Sequence, residues 1–110
     1  MINKNLVVDI KTSIKVAMIK LSKSAKKCLM VLNDQKQLIG TLTDGDIRRA
    51  FLKGKNFDDK IKNIYKKNPI KLQREKFNIK QAKMMMDKNK ISFLPIVNNK
   101  NKFLSFITWD

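Results

Sequence analysis

The spacing of apolar residues changes several times along the first half of the chain. Ile14, Ala17, Met18 and Leu21 fall at i, i+3, i+4 and i+7, one face of a helix, and Ser13 just before them suits an N-cap. Cys28–Leu32 is an unbroken apolar run of strand length, as a strand buried on both faces requires. Asn33-Asp34-Gln35-Lys36 is a polar turn. Leu38–Thr43 predicts a second strand, in which Gly40 marks a close backbone approach. A helix is predicted over 44–53, with Ile47, Ala50 and Phe51 inward and Gly54 as its stop. A short strand is expected ahead of all this, at 6–9.

The same pattern returns at an offset of 65 residues, where 12–45 lies over 77–110 without a gap. Ile14 meets Ile79, Ala17 meets Ala82, Cys28-Leu29 meets Phe93-Leu94, Asn33 meets Asn98, and Thr43 meets Thr108. The second copy predicts a helix over 78–89 and strands over 93–97 and 103–109. Pro95 suggests an edge or irregular position in the first of these strands. Residues 57–67 read as a short helical connector, with Asp58 and Asp59 at its solvated start. Asn68-Pro69 breaks it, and 70–72 is a short entry strand. The division is therefore 1–56 for the first repeat, 57–69 for the connector and 70–110 for the second. The second repeat is expected to be truncated before its last helix, as in a fragment with another domain downstream.

Composition narrows the function. Apolar residues make up 43 % and charged residues 31 %, a globular balance for one domain. No apolar run is long enough to span a membrane and no hydrophobic leader core opens the chain, so a cytoplasmic location is expected. Histidine is absent and Cys28 is the single cysteine. This excludes Ser-His and Cys-His nucleophile pairs, thiolate metal clusters and an intrachain disulfide. The net charge is +16, from 25 basic and 9 acidic residues. Lys supplies 22 of the bases and Arg only 3, scattered along the chain beside 11 Asn. That is the signature of an AT-rich coding bias and a solvated surface more than of an arginine-based nucleic-acid reader. The nucleic-acid alternative predicts binding that falls steeply with salt.

Three features carry possible chemistry. Thr43-Asp44-Gly45-Asp46 at the start of the second helix has the spacing of a capping box, which needs no ligand. Met84-Met85-Met86 reads as core packing or a dimer face, with Met86 on the buried side beside Ile79 and Ala82. Cys28 reads as a buried, inert thiol, and Trp109 as core or contact surface.

The duplicated β-α-β-β-α pattern, the string Gly40-Thr41-Leu42-Thr43-Asp44-Gly45-Asp46-Ile47-Arg48-Arg49 and the strand Phe93-Leu94-Pro95-Ile96-Val97 together resemble a tandem pair of CBS domains, a Bateman module. Ile107-Thr108-Trp109-Asp110 and the connector ending in Asn68-Pro69-Ile70 match the family too. The resemblance implies an α+β fold of two β-α-β-β-α repeats packed sheet to sheet about a pseudo-twofold axis, and a flat homodimer. It implies a regulatory, non-catalytic module, with AMP, ADP or ATP as possible ligand and no required cofactor. It points to pairs joined to sugar-phosphate enzymes, either nucleotidyltransferases or arabinose-5-phosphate isomerases. The order along the chain favours a downstream nucleotidyltransferase. A ligand-free dimerisation scaffold is the alternative within this family.

By that resemblance Asp46 would accept bonds from the 2′ and 3′ hydroxyls of a ribose, since one fixed carboxylate can take both donors of a vicinal diol. Thr43 would add its hydroxyl. The helix start at Asp44 and Gly45, with Arg48 and Arg49 in its first turns, would meet the phosphates. The adenine would lie near Cys28, Met30 and residues 6–9. The second copy has Thr108, but its matching acid would fall at position 111.

Overall fold

The computed structural model describes residues 4–24 and 27–109. After a short 3-10 turn at Lys4–Leu6 come β1 (Val7–Val8), α1 (Ile14–Lys23), β2 (Cys28–Leu32), β3 (Leu38–Thr43) and α2 (Asp44–Leu52). These are followed by β4 (Lys66–Lys67), β5 (Leu72–Gln73), α3 (Ile79–Asn89), β6 (Phe93–Val97) and β7 (Phe103–Thr108). Among the described residues no helix is long and apolar enough to cross a membrane.

The strands form two sheets, ordered β1-β2-β3-β4 and β5-β6-β7. β1 runs parallel to β2 and β5 parallel to β6, while β2/β3 and β6/β7 are antiparallel. The repeat seen in the sequence is a repeat of register. Cys28 pairs with Thr43 and Phe93 with Thr108, and the ladders shift at Val31/Leu32 and at Ile96/Val97. The hairpin turns match as well. The Asn33 side chain accepts from Gln35 N and Gln37 N, and the Asn98 side chain from Lys100 N and Lys102 N. Both turns pass through the left-handed region, at Lys36 (φ 66) and Asn101 (φ 63).

All five residues of β2, and all five of β6, are buried. Alternation sends Leu29 and Val31 toward α1 and α2, into a core with Ile14, Ala17, Leu21, Leu42, Ile47 and Ala50. It sends Cys28, Met30 and Leu32 the other way, where with Leu38 of their own sheet they pack against Phe93, Val97 and Phe103 of the facing repeat. Phe93 and Phe106 stack in this layer with centroids 4.6 Å apart. The two hairpins clasp each other at one end. Leu38 N donates to Asn101 O at 2.8 Å, Asn101 Nδ2 to Leu38 O at 2.9 Å and Gln37 Nε2 to Lys100 O at 3.0 Å.

Several sequence expectations need correction. Residues 57–67 are not helical. Asp59 O accepts from Ile14 N and Phe57 O from Lys15 N, while Ile61 N donates to Thr12 O. The connector thus supplies carbonyls to the first turn of α1, whose N–H groups have no partner inside the helix. It inserts Ile61, fully buried, beneath that helix. Asp58 and Asp59 therefore sit in a turn rather than at a helix start, and Asp59 Oδ2 accepts from Asn56 N. Pro95 sits in β6, the middle strand of its sheet, at a position open on one side as an edge residue is, as expected. β5 pairs only with Ile96 and Val97, so Pro95 lies beyond that ladder and its missing N–H takes nothing from it. Ile79 is 56 % exposed, although Ala82 and Met86 are buried as expected. The entry strand is Leu72–Gln73, and β4 was not anticipated. Trp109 is half exposed.

Gly40 is buried where β3 meets β4, and a Cβ there would fall well inside contact distance of the Tyr65 ring and the Lys66 carbonyl. Gly40→Ala is expected to destabilise the fold by about 1–3 kcal/mol, since backbone has to move. A lower urea midpoint with unchanged slope is the expected reading, and an unchanged midpoint would show that β4 yields freely. Ile61→Ala removes the plug under α1 and is expected to cost about 2–5 kcal/mol, measured the same way.

Candidate functional site

Thr43 is the last residue of β3 and the N-cap of α2. Its extended backbone (φ −122°, ψ 169°) turns the chain from sheet into helix. The capping box is complete. Thr43 Oγ1 accepts from Asp46 N at 3.4 Å, and Asp46 Oδ2 accepts from Thr43 N at 3.0 Å and from Thr43 Oγ1 at 3.1 Å. The other carboxylate oxygen, Oδ1, accepts from Arg49 Nη2 at 2.7 Å. Helix start and carboxylate are thus fixed together by local sequence alone.

This corner opens onto a cavity of about 390 Å³ between the repeats, within the size range of small-ligand sites. One wall comes from the first repeat: Cys28, Thr41, Thr43, Asp46 and Arg49. The other comes from Pro69 at the end of the connector and from the second repeat: Ile70, Ile91, Ser92, Phe93 and Pro95. Lys27, Lys66 and Lys90 complete the lining. Among the described lining residues Asp46 is thus the only acidic side chain, set among four cations. The second-repeat wall is mainly apolar, so the cavity has a flat nonpolar side, a carboxylate at the opposite corner and basic residues around them.

Of the residues singled out in the sequence, Cys28, Thr43, Asp46 and Arg49 share this cavity. Gly45 stands behind it, where the Arg49 guanidinium lies close over its backbone. Asp44 and Arg48 do not reach it and border a hollow on the outer side of α2, with Met18, Phe51 and Leu52. Met30 is fully buried in the layer between the sheets and does not line the cavity. Residues 7–9 border a separate hollow with Lys20 and Lys36. The nonpolar lining of this cavity comes from Ile70, Ile91, Phe93 and Pro95, not from Met30 or residues 6–9. These were missed because the helix start of one repeat faces the strand of the other, and a single copy does not reveal that crossing. The pseudo-twofold implied by the gapless repeat was the signal that could have found them.

Burial pushes the Cys28 thiol up from 9.0 to about 12, and the negative charge of Asp46 adds to the shift. Among the described residues no group of three His, Cys, Asp or Glu side chains is placed to hold a metal.

Comparison with known proteins agrees with this architecture. The sequence matches the CBS domain twice, over residues 1–53 and 61–110. It is 31 % identical over 96 residues to an uncharacterized protein of Helicobacter pylori strain J99, covering 87 % of this chain and 29 % of that protein. It is also 31 % identical over 96 residues to arabinose 5-phosphate isomerase GutQ of Salmonella typhi, covering 87 % and 30 % respectively. The chain therefore spans less than a third of the length of these relatives. Among solved structures, CBSX2 in complex with AMP superimposes with a TM-score of 0.79 at 21 % identity, over 96 % of this chain and 83 % of that one. With two matched copies, one repeated strand register and a cleft between them, the chain belongs to the CBS domain family and carries a tandem CBS pair.

Proposed function

We propose that this CBS pair is a regulatory module that binds an adenine nucleotide in the cavity between its repeats. The observation that carries the reading is the placement of Asp46, locked by its capping box, across the cavity from a nonpolar wall with basic side chains around them. A ribose diol suits the Oδ1 oxygen of this fixed carboxylate, which Arg49 occupies and the helix cap does not use. A purine suits the side formed by Ile70, Ile91 and Pro95, and phosphates suit Lys27, Lys66, Lys90 and Arg49. Likeness to a fold solved with AMP supports the same reading. Signalling requires that the ligand bind two arrangements of the pair with different affinity.

The partner in this reading is a sugar-phosphate enzyme domain in the same chain, in the cytoplasm, where a homodimeric module would sense energy state. Similarity to GutQ favours an isomerase over the nucleotidyltransferase that the order along the chain suggested.

A thermal-shift titration with AMP, ADP and ATP is expected to give a saturable rise in melting temperature. Mass action predicts about 2.7 kcal/mol of stabilisation at a hundredfold excess over Kd. Asp46→Asn, which keeps an acceptor for Thr43 N–H, is expected to fold and lose most of the rise. An equal rise in the variant would remove Asp46 from the site, and no rise in either protein would favour a ligand-free scaffold.

The reading also gives Cys28 no chemical role. Its raised pKa means that folding favours the neutral thiol. That contribution to stability is complete below pH 9.0, the ordinary value, and is lost as pH rises through about 12. The stability advantage of wild type over Cys28→Ala is therefore expected to shrink above pH 9, in paired urea titrations across that range. A constant difference would show that the thiol does not titrate with unfolding.

A further inference from the structure

The Asp46 carboxylate is already engaged on both oxygens. The bonds from Thr43 belong to the helix cap, but the bond from Arg49 does not, because α2 keeps its capping box without it. The two partners of that ion pair differ in freedom. The Asp46 side chain is 14 % exposed and held by the cap, whereas the Arg49 side chain is 62 % exposed. The guanidinium lies close over Gly45, where a Cβ would stand 3.3 Å from Arg49 Nη1 and crowd it by a few tenths of an ångström. Arg49 is therefore the movable member, folded back over a glycine onto a fixed acid.

Any ligand whose hydroxyls dock on Oδ1 competes with that guanidinium. An uncharged ligand would leave a released Arg49 beside Lys27, Lys66 and Lys90, a fourth cation with no anion to meet. A ligand bearing phosphate brings the anion with it, and the guanidinium exchanges a carboxylate for a phosphate of matching bidentate geometry. We propose that Arg49 is the specificity-determining residue of this cavity: it guards Asp46 in the empty site and yields it to a ribose diol only when the same ligand carries a phosphate. This rests on the adenine-nucleotide reading above and adds how the site rejects the bare nucleoside.

Isothermal titration of wild type and Arg49→Gln with adenosine, AMP and ATP tests it. Wild type is expected to prefer AMP to adenosine. In Arg49→Gln that preference should fall about tenfold, the size of one charge-assisted contact, with adenosine bound no more weakly than before. An unchanged preference, or adenosine weakened alongside AMP, would overturn the guarding role while leaving nucleotide binding intact. A wild type that binds none of the three would overturn the nucleotide reading, and this inference with it.

Discussion

Burial of β2 and β6 on both faces is the constraint on which the other parts of this molecule depend. Each is an interior strand with one face on its own helices and the other on the opposite repeat. A buried side chain of Leu, Val or Phe size contributes roughly 1.5–3 kcal/mol, so these two strands hold much of what a domain of this length can gather. Met30 and Leu38 of the first repeat and Phe93 and Phe103 of the second are buried in one shared cluster, so the inner face of each repeat is completed by the other. Side-chain packing and the hairpin clasp then fix the angle between the sheets.

That angle makes the cavity. The first repeat brings its helix start to the place where strand β6 of the second begins, so polar and nonpolar walls come from different copies. The carboxylate is positioned by a local device, the capping box of α2, which forms whether or not a ligand is bound. The binding reading and the capping reading of Thr43 and Asp46 are therefore compatible. The cap is what preorganises the acid, and the ion pair with Arg49 is an additional layer over it.

Much of this was legible in the sequence. Period and turn chemistry gave α1, β2, β3, α2 and their second-copy counterparts nearly to the residue, and Gly54 does follow α2 with φ +97°. The gapless offset is answered in the structure by a repeated register, with ladder shifts at corresponding places, Val31/Leu32 and Ile96/Val97. The connector was misread because Asp58, Ile61 and Ile64 suit a helix start and face, while its carbonyls are taken by the backbone of α1, a tertiary demand with no local signature. Ile79 was misread by symmetry. Its counterpart Ile14 is covered by the connector, and the described part of the second repeat brings no such segment over Ile79. At the site, Thr43, Asp46 and Arg49 were within reach of motif reasoning. Ile70, Ile91 and Lys90 were not, since nothing in one strand announces which face of the other copy it will meet.

The seating of Ile61 and the carbonyls of Phe57 and Asp59 at the head of α1 also moves the boundary of the first repeat. Residues 1–56 hold both helices of the first repeat, yet without the next few residues their core has a hole the size of an isoleucine and the first helix has unanswered donors. Only the next few residues close it. The stretch that looks like a spacer between two modules is thus the last structural piece of the first one, and the seam between the copies in space lies several residues away from the seam between them in the chain.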